Sequence, residues 1–173
     1  MNRFISAVRE WFGSIGRASK LPSPGAPVGR CQAPTVVPIL LASERDDDYR
    51  TLQALLQNTK WTLERPLSWG EVSDFCDRVV NPVVLVDRHY QGSDWRFTIS
   101  SILNNKESCC LILLSDVSDP YLWDELVQQG GFDVLARPFE KVSVHRTLAF
   151  AHRHFEAGWP PLHPPQENGR SPA

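Results

Sequence analysis

The stretch Asn81-Pro82-Val83-Val84-Leu85-Val86-Asp87 constrains the fold of this chain more than any other. Four consecutive apolar residues, three of them β-branched, follow an Asn-Pro breaker and end on an acid. A half-exposed strand alternates apolar and polar side chains. An unbroken apolar run between breakers is instead the pattern of a strand buried on both faces, as in a parallel sheet covered by helices on both sides. Asp87 falls at the carboxyl end of that strand, the edge where strand-to-helix loops converge and where open α/β sheets gather ligands and chemistry. A lone acid there would equally well cap or solvate a loop, so its meaning depends on what the other strands carry at the same edge.

Further strands and helices alternate along the chain. Pro38-Ile39-Leu40-Leu41-Ala42 is a second buried-type run, ending at Ser43-Glu44. Asp46, Asp47 and Asp48 then supply the acids that favour a helix start, and Leu52, Leu55 and Leu56 recur at helical spacing up to Asn58. Trp61 to Leu67 alternates as a weaker strand, and Ser68 is placed to cap a helix through Arg78 that turns Val72, Phe75 and Val79 inward. Beyond Asp87, residues 88–95 read as a polar loop and Thr98 to Asn105 as a modest helix. Cys109 to Leu114 is a fourth strand. Asp119-Pro120 has the form of an N-cap followed by proline at the first helical position, and Gly130-Gly131 ends that helix. Phe132 to Ala136 is a fifth strand, and Ser143 opens a last helix with Val144, Leu148 and Ala151 on one face. Five strands alternating with five helices predict an α/β fold, a doubly wound five-stranded parallel sheet of the flavodoxin-like (βα)5 kind.

The division of the chain follows from the same pass. Residues 1–18 place Phe4, Ile5, Val8, Trp11, Phe12 and Ile15 at helical spacing among Arg3, Arg9 and Arg17, a basic amphipathic helix suited to a membrane surface or a partner. A frayed extension, or a helix lying on its own domain, fits that pattern as well. Residues 19–37 are a Pro/Gly-rich linker, residues 38–155 the folded domain, and residues 156–173 a Pro-rich tail expected to be disordered. The first 37 residues carry a net charge of +4 and residues 38–155 a net of −5. An acidic body argues against a nucleic-acid partner. With no apolar run of membrane-span length and no secretory leader pattern, the expected location is cytoplasmic. Cys31, Cys76, Cys109 and Cys110 lack metal-type spacing and read as reduced thiols, the adjacent pair on opposite faces of a strand.

Glu44, Asp87, Ser115 and Arg137 close strands one, three, four and five, so four polar or charged groups meet at one edge of one sheet. With the phrase Gly131-Phe132-Asp133-Val134-Leu135-Ala136-Arg137-Pro138-Phe139, this order of features over about residues 38 to 155 resembles the receiver domain of two-component response regulators. The resemblance implies a divergent single-domain response regulator receiver protein in phosphorelay signal transduction, which acts by protein-protein contact and is not itself an enzyme. It makes Asp87 the phosphoacceptor, carried as a 4-aspartylphosphate, and sets Ser115 and Arg137 against the phosphoryl oxygens. It makes Glu44, Asp87 and the backbone carbonyl of His89 the ligands of Mg²⁺, and the Arg137-Pro138 bond cis. A histidine kinase or phosphotransfer protein would supply the phosphoryl group, and the surface around residues 120–129 and Phe132 would meet a protein target.

Three positions depart from the family's pattern. Ser43 stands where a second acid is usual, which lowers the expected affinity for Mg²⁺; Arg137 stands for a lysine; and Val134 stands for an aromatic switch residue. Those departures favour an alternative, a degenerate pseudo-receiver acting as a phosphorylation-independent adaptor or docking module, in which Glu44, Asp87 and Arg137 form a charge cluster without phosphoryl chemistry. A dehalogenase-type phosphatase, which also uses an aspartate at a strand end, would need a second aspartate where His89 stands. His145, His152 and His154 fall on or near the last helix, but His145 and His152 lack a carboxylate at metal-ligand spacing, so a packing or surface role is the reading.

Overall fold

The computed structural model of the chain describes residues 36–105, 109–117 and 119–156. All belong to the second of two units into which the chain divides, Pro34–Ala173. The basic helix expected at residues 1–18, the linker up to residue 35 with Cys31, and the tail from residue 157 lie outside the described residues.

Five strands, β1 (Val37–Ala42), β2 (Trp61–Glu64), β3 (Val83–Asp87), β4 (Cys110–Ser115) and β5 (Asp133–Ala136), form one parallel sheet in the order β2-β1-β3-β4-β5. Five α-helices connect and follow them: α1 (Asp46–Leu55), α2 (Trp69–Arg78), α3 (Trp95–Asn105), α4 (Pro120–Gln128) and α5 (Lys141–Glu156). The central strands β3 and β4 are buried at every residue, as their unbroken apolar runs require.

Alternate strand residues feed two cores. Leu40, Val84, Val86, Leu111 and Leu113 face α2, α3 and α4. Ile39, Leu41, Leu85, Ile112 and Leu114 face α1 and α5, where Leu52, Val144 and Leu148 meet them. Cys109 joins the first core and Cys110 the second, so the adjacent thiols point to opposite sides. Burial among apolar groups pushes the Cys110 thiol pKa well up, which keeps it protonated and inert.

Local signals place several helix ends. Ser68 Oγ accepts from Glu71 N at 3.3 Å while the Glu71 carboxylate accepts from Leu67 N at 2.8 Å, a reciprocal cap. Asp119 Oδ1 accepts from Tyr121 N at 2.9 Å, with Pro120 at the first helical position. Gly130, at φ +90°, ends the helix, and a Cβ there would stand 2.7 Å from Leu103 Cδ1.

Three boundaries differ from the sequence expectation, the simplest being α5, which begins at Lys141, two residues before Ser143. Strand β2 stops at Glu64, because Pro66 cannot donate to a ladder and Arg65 turns back to the end of β1, where Nε and Nη2 donate to the carbonyls of Ser43 (3.2 Å) and Glu44 (2.9 Å). Helix α3 begins at Trp95, a turn before Thr98, with Asp94 Oδ1 accepting from Arg96 N at 3.2 Å and Trp95 buried beneath it. The loop before it is less polar than it reads. Tyr90 is buried in a short 3-10 turn, Tyr90–Gly92, and packs edge-on to Trp69 with centroids 5.0 Å apart. No helix among the described residues is long and apolar enough to cross a membrane.

Candidate functional site

Because the sheet is parallel, every strand delivers its last residue to the same edge. The register sets Asp87 beside Leu114 and Ser115 beside Ala136, so Asp87, Ser115 and Arg137 converge there. Arg137 N donates to the Ser115 carbonyl at 2.8 Å, fixing the chain as it leaves β5. The Arg137-Pro138 peptide is cis, and the Arg137 guanidinium lies over the Phe139 ring at 5.5 Å.

The guanidinium is nearly enclosed, with its side chain 13% exposed. Nε donates to Asp48 Oδ1 at 2.8 Å and Nη2 to Asp48 Oδ2 at 2.5 Å, a two-pronged pair. Nη2 also donates to Asp87 Oδ2, and Nη1 reaches Asp116 Oδ1 at 3.4 Å. Asp87 Oδ1 accepts from His89 N at 2.8 Å. Asp48 Oδ2 takes a further bond from the buried Ser43 hydroxyl at 2.7 Å. Outside this core, Arg45 clamps both oxygens of Asp116 at 2.8 and 2.9 Å.

The charges are tuned to stay charged. Burial disfavours the Arg137 cation, but its bonds to Asp48 and Asp87 outweigh that cost and raise its pKa. Burial likewise works against the Asp48 anion, and the bonds from Arg137 and Ser43 prevail, leaving its carboxyl below the usual range. The Arg45 bond holds Asp116 low as well.

Of the residues named from sequence, Asp87 and Arg137 touch, and Ser115 is buried at the same edge with Oγ accepting from Val117 N at 3.1 Å. Glu44 is exposed, and the His89 carbonyl accepts from Gly92 N at 3.1 Å. Val134, half-buried, packs against the α2/α3/α4 core. His145 Nε2 lies 3.0 Å from the Leu55 carbonyl, and His152 and His154 meet the rings of Trp61 and Phe132 at 5.4 and 5.7 Å.

Asp48 was missed as a site residue because it stands in a run of three acids that reads as a helix start. Its phase was the available signal: it lies four residues before Leu52, on the stripe that α1 buries.

Whether such a site fits Mg²⁺ depends on which oxygens remain. Both oxygens of Asp48 and both of Asp87 accept N–H or O–H donors, and a guanidinium occupies the space between the two carboxylates. Among the described residues no group of three acidic, histidine or cysteine side chains is arranged to hold a metal ion. In this arrangement the residues do not fit the dication.

Sheet order and helix placement are those of the flavodoxin-like receiver fold. A scan of protein-family models and a search of curated proteins find no match to the sequence. Solved structures carry the likeness. The signal receiver domain of an HD domain-containing protein from Pseudomonas fluorescens Pf-5 superposes with a TM-score of 0.60 at 20% identity, covering 70% of this chain and 98% of that one. A response regulator from Thermotoga maritima gives 0.59 at 17% identity, over 67% and 97%. A pilus assembly-related protein from Burkholderia pseudomallei gives 0.58 at 16% identity, over 72% and 96%.

Proposed function

We propose that this chain is a receiver-fold signalling module of the two-component type that works by protein-protein contact, with Asp87 held in an ion pair by Arg137. One observation carries the reading. The Arg137 guanidinium lies between Asp48 and Asp87 and bonds to both, so the carboxylate that would attack a phosphoryl donor is already engaged by a fixed cation. An exposed surface adjoins this cluster. Asp116, clamped by Arg45 and reached by Arg137, is followed by Val117, 55% exposed, and α4 carries Tyr121 at 82%. Such apolar side chains beside a charge cluster suit a protein target, and the state of the cluster bears on the loop that presents them.

A second reading keeps Asp87 as the phosphoacceptor, fed by a histidine kinase or phosphotransfer protein, with Ser115 and Arg137 bonding the phosphoryl oxygens. It is favoured by the placement of Asp87, Ser115 and Arg137 at one strand edge. Intact-protein mass after incubation with acetyl phosphate and MgCl₂, beside Asp87→Ala and an EDTA control, separates the two. The first reading expects no adduct. An adduct that requires Asp87 overturns it and makes the chain a phosphorelay acceptor.

A further inference from the structure

Two of the departures, Ser43 and Arg137, join the buried Asp48 in one arrangement. An ammonium is a point charge on a flexible stem, whereas a guanidinium presents a planar fork. Only the fork can grip both oxygens of Asp48, at 2.8 and 2.5 Å, while the same Nη2 reaches Asp87. Asp48 in turn needs a partner on its open side, and the Ser43 hydroxyl donates to it at 2.7 Å. An aspartate at position 43 would set a second carboxylate against Asp48 at that distance. The hydroxyl therefore belongs with the buried acid, and the buried acid with the arginine.

The cluster is also close to neutral. Arg45 and Arg137 stand against Asp48, Asp87 and Asp116, two guanidiniums for three carboxylates. Little field remains to draw a dication from its hydration shell, which Mg²⁺ surrenders reluctantly.

We infer that Arg137, gripped by Asp48, is itself the resident cation of this site and makes the domain indifferent to Mg²⁺. This deepens the ion-paired reading of Asp87 and rests on it, but it concerns the metal and is tested without phosphoryl chemistry. Substitution toward the family pattern is expected to reverse the indifference. Arg137→Lys loses the two-pronged grip, and Ser43→Asp adds a hard oxygen ligand.

The experiment is a titration of the full-length protein with MgCl₂, followed by backbone amide NMR, with Mn²⁺ as a paramagnetic probe. In the wild type, no saturable shift and no selective broadening are expected at the amides of Asp87, His89 and Ser115. In Ser43→Asp/Arg137→Lys, both are expected, with affinity higher by on the order of tenfold or more. Arg137→Lys alone, checked for a cooperative melt, covers the case in which the double variant does not fold. Saturable Mg²⁺ shifts at those amides in the wild type overturn the inference, as does a folded variant that remains indifferent. A phosphoryl adduct formed in EDTA would instead sink the ion-paired function while leaving metal indifference standing.

Discussion

Asp48 and Arg137, 89 residues apart, form a buried two-pronged ion pair with side chains 5% and 13% exposed. Breaking such a pair leaves an uncompensated charge in a place water reaches poorly. Asp48→Ala should therefore cost about 3 kcal/mol of stability, near the low end for buried pairs because Asp87 still holds the guanidinium. Urea unfolding would read this as a lower midpoint at unchanged slope. The adjacent acid provides the control: Asp47, 95% exposed and 3.8 Å from Arg50, should lose only about 0.5 kcal/mol as Asp47→Ala, from the first turn of α1.

Acid should undo the same pair. The folded-state pKa of Asp48 lies below its unfolded value, so its contribution is fully present above about pH 4, where the unfolded carboxyl is ionised. It is lost as pH falls through the lowered folded value. Thermal melts from neutral pH into the acid range should fall more steeply for the wild type than for Asp48→Asn, which has no proton to gain. Parallel acid limbs in the two proteins would refute the assignment.

Trp95 presents an opposite case. Its ring is 1% exposed in the α2/α3/α4 core, yet Nε1–H has no hydrogen-bond partner among the described residues. A buried unpaired donor costs on the order of 1–3 kcal/mol. Trp95→Phe removes that donor and retains an aromatic ring, so stability should change by no more than about 1 kcal/mol. Trp95→Ala opens a cavity and should cost about 3–5 kcal/mol. Chemical denaturation of both variants tests the contrast.

His154 predicts a weaker pH effect in a higher range. Burial against Phe132, with ring centroids 5.7 Å apart, lowers its pKa. As pH drops below about 6.5 the unfolded state takes up the proton first, so folded stability declines from there toward the lowered folded value. His154→Gln should flatten the slope of melting temperature between pH 7 and about pH 5. An unaltered slope would assign that titration to another group.

The sequence by itself determined the five-stranded parallel sheet and several of its helix ends. Those rest on signals carried within a few residues: the unbroken apolar runs Val83 to Val86 and Cys109 to Leu114, the cap at Asp119-Pro120, the stop at Gly130-Gly131. It also brought Asp87, Ser115 and Arg137 to one edge, because a parallel sheet sends every strand end the same way. Which charges then pair was decided only by the tertiary structure. Glu44 and Asp48 are both acids just beyond β1, and local pattern favoured Glu44; the rotation of α1 buries Asp48 and leaves Glu44 in solvent. A guanidinium reaching from β5 meets whichever carboxylate helix packing turns toward it. That orientation depends on Leu52 docking against strands distant in sequence, a relation no local window contains.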